Sequence, residues 1–333
     1  MAAASVPAEV TVWTTAQRAE VVGRLLDLMG GAVKPIGVGG PSSSPRNQLA
    51  QRMHCTPTDD LRQMLLDHPA SFVLLASMEQ VGPEELKLAA GQQSVILTLE
   101  PIAADMDELA VLRERAPGSG GVLNRVVLLP SFRQCPGWVV SADPRPVLGE
   151  PEIIAMDHAG AAAEASVYAR LYDAWQVVLH LSDAPLTIDA AIVADDGEPP
   201  PSLRGLRRHV TAHARMPGGG VALVVVSAAA APRARRLHVV GRGGDLLVRD
   251  DDYALTDPAG QLIDGHGSGQ NTPGYVELMA NQWRRLLDRG LRPDDTGAKS
   301  AAHAVACCLT CLLSARTGAP EDPAKVLKMH GFA

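Results

Sequence analysis

From Glu9 to Arg115 the chain alternates short β-type apolar runs with runs of helical spacing, and this constrains its fold more than any other feature. Glu9–Thr14, Val33–Val38, Phe72–Ala76 and Ser94–Leu99 read as strands. Between them Ala16–Met29 sets Ala19, Val22, Leu25, Leu26 and Met29 on one helical face, and Gly30-Gly31 stops it. Arg46–Met53, Thr58–His68, Pro83–Ala90 and Ala104–Arg115 read as further helices, the second of these opened by the capping residues Thr58-Asp-Asp60. Strands that alternate with helices at this spacing predict a parallel sheet with helices on its faces.

Near Pro117-Gly-Ser-Gly-Gly121 the rhythm changes. Val122–Leu129 reads as a strand and Ala159–Leu181 as one long alanine-rich helix. Leu186–Val193, Arg207–Ala214, Val221–Ser227, Arg236–Gly241 and Gly244–Arg249 then follow as strands separated by Gly, Pro and charge. This predicts a largely antiparallel sheet backed by a helix, closed by helices over Tyr275–Asp288 and Ala298–Arg316. The expected organisation is an α/β domain over residues 1–118 and an α+β domain over 119–333, with the closing helices free to pack back on the first.

With 333 residues there is enough chain for two cores. A formal net charge of −7 excludes a general affinity for nucleic acid or anionic membranes, which needs a basic footprint. Arg204–Arg208 and Arg233–Arg236 are short basic patches and read as solvated arginines. The start, Met1-Ala-Ala-Ala-Ser-Val-Pro7, shows no cationic or long apolar leader, and Val221–Ala231 and Ala304–Leu313 fall well short of the roughly 20 residues of a membrane helix. A cytoplasmic protein is expected. Five cysteines, three of them clustered late, do not form a disulfide framework.

The order Leu49-Ala50, Thr58-Asp-Asp-Leu-Arg-Gln-Met-Leu-Leu-Asp67 and Ser71-Phe-Val-Leu-Leu-Ala-Ser77, followed by Leu97-Thr-Leu-Glu-Pro-Ile-Ala103, resembles the Rossmann domain of the Gfo/Idh/MocA oxidoreductases. That family writes a "D-x-V-x-I-A-T" strand and an "E-K-P-x-A" segment at similar spacing. Asp183-Ala-Pro185, Val239-Val-Gly-Arg-Gly-Gly-Asp245 and Leu312-Leu-Ser-Ala-Arg-Thr-Gly318 agree with the layout of its second domain. The resemblance implies a Rossmann-type dinucleotide domain joined to a domain with an open, mainly antiparallel sheet. It also implies a sugar or polyol substrate and a free sheet face buried by a second subunit.

Several of the family's functional residues have no counterpart. The turn after the first strand is Thr14-Thr-Ala-Gln-Arg18, without the glycines that let backbone approach a pyrophosphate. Ile36-Gly-Val-Gly-Gly-Pro41 follows the second strand instead and reads as an ordinary turn. That loop lacks an acid for a ribose hydroxyl, whereas its serines and Arg46 suit a 2′-phosphate, so NADP is expected over NAD, bound weakly or not at all. Thr14, Thr15, Gln17, Ser43, Arg46, Ser77 and Glu100 are the candidate cofactor contacts. Glu100 runs directly into Pro101, so the family's lysine is missing, and Ala169 and Asp173 stand where its Asp and His are expected.

Glu100 and Asp173 remain as a candidate catalytic carboxylate pair, one with a raised pKa. The plainer reading makes Asp173 a helix-surface acid and Glu100 a strand-end cap. His180 reads as a core histidine, and His303, Cys307 and Cys311 as a helical stripe packed in the core, with no metal site expected. Asp250-Asp-Asp252 reads as a solvated turn, and Asp264–Asn271 as a mobile loop in which His266 and Asn271 are weak substrate candidates. Two readings stay open: a degenerate, inactive relative that binds a sugar-like ligand or a partner, or an active NAD(P)-dependent oxidoreductase with an altered acid/base set.

Overall fold

A computed structural model describes residues 6–113, 121–141, 145–195, 197–267 and 272–332. The chain divides into two compact units, one of Met1–Ile102, Glu108–Pro130 and Gly274–Ala298, the other of Ala103–Asp107, Ser131–Pro273 and Lys299–Ala333. The first unit therefore runs past the expected boundary at 118. Its last strand lies beyond that point, and the segment from Gly274 returns to it.

In the first unit β1 (Ala8–Trp13), β2 (Val33–Gly39), β3 (Pro57–Thr58), β4 (Phe72–Leu75), β5 (Val95–Thr98) and β6 (Val126–Leu128) form one sheet in the order β3-β2-β1-β4-β5-β6. Every pairing is parallel. The connecting helices are α1 (Ala19–Met29), α2 (Ser43–Met53), α3 (Leu61–Asp67), α4 (Pro83–Gly91) and α5 (Met106–Arg113). α1 buries Val21, Val22, Leu25, Leu26 and Met29 and ends at Gly30, whose φ of 52° favours glycine. Asp60 caps α3 by accepting from the Gln63 N–H at 2.9 Å. α3 and α4 show why the helical reading succeeded here: a cap or a proline opens each, and its apolar face is short but complete.

The second unit holds α6 (Pro136–Val140), α7 (Arg145–Leu148), β7 (Pro151–Ala161), α8 (Val167–Leu181), β8 (Thr187–Val193), β9 (His209–Arg215), β10 (Val221–Ser227), β11 (Ala229–Gly241), β12 (Gly244–Arg249), β13 (Tyr253–Thr256) and β14 (Leu262–His266). Its eight-stranded sheet runs β14-β13-β12-β11-β7-β10-β9-β8, with β7–β10 parallel and the other pairings antiparallel. α9 (Tyr275–Arg289) and α10 (Pro293–Thr296) belong to the first unit; α11 (Ala301–Thr317) and α12 (Pro323–Met329) to the second. α9 packs on α1, sets Trp283 5.8 Å from Phe72, and donates from Gln282 to the Leu128 carbonyl. The stretch Pro293–Thr317 is long and apolar enough to cross a membrane, but 56% of its most apolar window is buried, and α11 packs against α8 and β8 as a core helix does.

The α/β plan with a parallel first sheet and an open, mainly antiparallel second sheet is the one expected. Three local readings are corrected. The long helix over 159–181 is a strand, β7, followed by a shorter helix that Ser166 caps at the Ala169 N–H, 3.0 Å away. Leu262–His266 is an edge strand rather than a loop, while Asn271 lies outside the described residues. His180 is exposed, its ring edge-on to Trp138 at 5.6 Å.

Candidate functional site

The strand order of the first sheet reverses between β1 and β4, and ligands of open α/β sheets bind outside the carboxyl ends of the strands at such a switch point. Thr14, Ser77 and Glu100 follow β1, β4 and β5, so the fold brings these candidates to that edge, with Thr15 and Gln17 in the turn into α1. Glu100 and Ser77, like Trp13 beside them, bond residues outside the candidate set. Arg18 Nη2 donates to Glu100 Oε1 at 2.6 Å, with only 9% and 18% of the two side chains exposed. The Trp13 indole is fully buried and donates to the Glu79 carbonyl at 2.9 Å. Ser77 Oγ accepts from the Glu79 N–H at 3.1 Å.

β2 ends against β1 at the same edge. The Thr14 N–H bonds the Gly39 carbonyl at 2.9 Å. A Cβ on Gly39 would lie 2.6 Å from the Trp13 ring, and one on Gly40 2.0 Å from the Thr14 carbonyl, so only glycine fits at either position. Arg46 donates to the Gly40 carbonyl at 2.9 Å and lies 3.7 Å from Asp59, and Ser43 is exposed at the start of α2.

In the second unit Asp173 is no surface acid: it lies 2% exposed on α8. It accepts from the Phe132 N–H at 3.0 Å and from Ser131 Oγ at 3.1 Å. Arg235 of β11 and His158 of β7 stand 3.9 and 3.8 Å from it. Arg235 in turn donates to Asp250 at 2.6 Å, and Arg233 pairs with the other Asp250 oxygen at 3.1 Å. Burial pushes the Asp173 carboxyl up to about 6, although Arg235 and its two donors favour the anion. Burial, and then Arg235, Arg170 and Arg233, hold His158 well below the ordinary imidazole range. Burial opposes the charge of Arg235, but Asp250 and its other anionic neighbours keep it cationic.

Sequence reading missed His158, Arg235 and Asp250. Arg235 and Asp250 are 3% and 4% exposed, not members of a solvated patch or turn. The signal was available in their spacing, because Arg235 continues the inward register of Leu237 and Val239, and Asp250 that of Leu246 and Val248. Cys307 and Cys311 are buried in α11, and burial pushes the Cys311 thiol up to about 12. His303 of the same stripe is half-buried. Among the described residues no cluster of three His, Cys, Asp or Glu could hold a metal ion.

No family model matches the sequence, and no curated protein matches it. Solved structures do match in fold. A levoglucosan dehydrogenase in complex with NADH and L-sorbose superposes at a TM-score of 0.69 and 12% identity, over 96% of this chain and 99% of that one. An Agrobacterium radiobacter oxidoreductase in complex with NAD+, L-tartaric acid and magnesium gives 0.70 and 14%, over 96% and 99%. An oxidoreductase from Thermotoga maritima gives 0.69 and 12%, over 96% and 100%. The chain thus has the fold of NAD-binding oxidoreductases of the Gfo/Idh/MocA type along nearly its whole length, as the sequence resemblance implies.

Proposed function

We propose that the chain is a relative of sugar oxidoreductases in which hydride transfer is lost or nearly so, leaving a binding or partner role on an enzyme fold. The observation that carries this reading is the state of Glu100: it precedes Pro101 with no lysine between, and its carboxylate is neutralised by Arg18. Oxidation of a sugar hydroxyl needs a group to take the proton and a cation to stabilise the developing alkoxide. Glu100 is spent on an ion pair. Asp173, the other candidate, is buried, and its carboxylate already accepts two hydrogen bonds.

A screen of sugars and polyols with NAD+ and NADP+, followed by reduced-nucleotide absorbance, tests the proposal. The expected rate lies at least 1,000-fold below the roughly 10 s⁻¹ of a typical enzyme. Robust turnover that vanished in Glu100→Gln or Asp173→Asn would replace the inactive reading with a carboxylate-based one.

The same reading has two copies paired through the uncovered face of the second unit's sheet. Ile153, Leu223 and Val225 are 37%, 41% and 43% exposed there. They share that face with a cavity of about 400 Å³ lined in part by Asp157, Arg236, His238 and Asp245. Light scattering is expected to find a dimer, converted to monomer by Leu223→Asp with Val225→Asp.

A further inference from the structure

We infer that the crevice at the switch point of the six-stranded sheet is closed to dinucleotides, and that Trp13, Thr14 and Arg18 close it. This deepens the inactive reading above, from lost chemistry to lost cofactor. A pyrophosphate is held where a strand turns into a helix. Glycine is needed there directly after the strand, two residues later and, with alanine also accepted, five residues later, for the tight turn, the close approach of the phosphates and helix–strand packing. β1 ends at Trp13 and α1 begins at Ala19, so those three places fall on Thr14, Ala16 and Ala19, with Trp13 and Arg18 beside them. The first two carry a Cβ where the backbone must approach the phosphates, and the flanking Trp13 and Arg18 are buried in contacts across the crevice.

The Trp13 ring lies over Gly39 at the end of β2, while its N–H bonds the Glu79 carbonyl beyond β4. One side chain thus reaches from the loop on one side of β1 to the loop on the other. The Thr14–Gly39 hydrogen bond continues the β1–β2 pairing past the strand, and Gly40 packs directly on the Thr14 carbonyl. Dinucleotide domains hold the adenosine ribose with an acid at this point; here it is occupied by backbone in van der Waals contact. Arg46 secures the same turn through the Gly40 carbonyl, so its guanidinium is committed to the loop.

On the other flank, Arg18 reaches past the end of β4 to Glu100 beyond β5. An arginine near a helix N-terminus would ordinarily attract a phosphate. Paired at 2.6 Å with a carboxylate and nine-tenths buried, it presents no net charge to one. A dinucleotide would have to break this pair and displace the indole before its phosphates reached the α1 backbone.

The test is binding, read independently of turnover. The purified protein is titrated with NADH and NADPH by nucleotide fluorescence, including energy transfer from tryptophan, and with NAD+ and NADP+ by calorimetry. No saturable binding is expected up to about 1 mM, the weak end of specific recognition. One-to-one binding of any of the four below roughly 100 µM would overturn the closure.

The variant Thr14→Gly/Ala16→Gly/Arg18→Ala/Glu100→Gln restores two of the glycines and removes both members of the ion pair. If it keeps the wild-type circular dichroism, at least a 10-fold gain in affinity is expected. A folded variant with no gain would show that these side chains are not what keeps the nucleotide out, which also overturns the proposal. The wild-type titration decides the matter if the variant fails to fold. Tight binding without turnover would end the closure and leave the inactive reading standing, whereas turnover would end both.

Discussion

Arg18 and Glu100, at the carboxyl edge of the first sheet, keep 9% and 18% of their side chains exposed; Arg235, Asp250 and Asp173, between α8 and the second sheet, keep 0%, 5% and 2%. Both groups join an arginine to carboxylates on separate elements, and the shortest contact in each is 2.6 Å. They differ in what surrounds the pair. The first is a staple between two loops, near enough to water for partial screening. The second is a network in which each charge depends on several others, because desolvated charges cost too much to leave unmatched. The same residue types therefore do different work, fixing a local loop arrangement in one unit and holding β7, β11, β12 and α8 together in the other.

Arg235→Ala should expose that difference most strongly. It strips the buried carboxylates Asp250 and Asp173 of their common cation, and a loss of about 3–5 kcal/mol is expected in urea unfolding. Arg235→Lys should recover only part of it, since lysine cannot fork between the two acids. If Arg235→Ala costs no more than Arg18→Ala, the network is no different from the staple.

The pH dependence of stability sharpens the comparison further. The folded-state pKa of Asp173 is raised from 3.8 to about 6, so the folded protein binds this proton more tightly than the unfolded chain. Its contribution is present below about pH 4 and lost as pH rises through about 6, amounting to about 3 kcal/mol. His158 acts oppositely: its pKa is lowered, so it favours the fold above the ordinary imidazole value of 6.5, and that contribution is lost on acidification. Between pH 4 and 6 the two oppose each other. Asp173→Asn should unmask a steeper loss on acidification, and His158→Gln should make the protein more stable at pH 5 than at pH 8. Unfolding midpoints measured across this range for both variants decide it, and unchanged profiles would mean that neither group titrates as its surroundings require.

Arg18→Ala carries the smallest effect. With the pair partly exposed, about 1–2 kcal/mol is expected, and most of it should be absent from Arg18→Ala/Glu100→Gln. A double-mutant cycle in urea measures that coupling, and a coupling near zero would reduce the staple to an ordinary surface contact.

The first unit was the more legible of the two. Strands β4 and β5 are near-continuous apolar runs with clear breakers at their ends, as strands buried on both faces must be, while β1 alternates Val10 and Val12 with polar residues. β7 was not legible, because its inward positions end in His158 and Gly160 and its last residues merge with alanines that suit a helix. Gly160 sits close under three side chains: a Cβ there would meet Glu164, Arg170 and Arg233 within 3.3 Å. β14 gave no signal since all five of its residues are exposed, which leaves no alternation to read. At the candidate sites, Glu100 and Asp173 could be singled out from the layout around them. Their partners Arg18, Arg235 and His158 are brought to them only by tertiary structure, across 62 to 82 residues for the two arginines.

The position of β7 also sets the order in which the second sheet can assemble. β8, β9 and β10 form one meander and β11 to β14 another, so both can form from contacts nearer in sequence than those of β7. β7 is made first on the chain and lies between them, pairing with β10 in parallel and with β11 antiparallel. It must wait for some sixty residues to be made before either partner exists, and closing that loop carries the entropic cost of a non-local contact. Until then the inner edges of β10 and β11 stand unpaired, each able to join a strand of another chain. Docking of β7 should therefore limit the folding rate of this unit, and substitutions that weaken its inward face should slow folding and increase aggregation more than equal losses of stability in either meander.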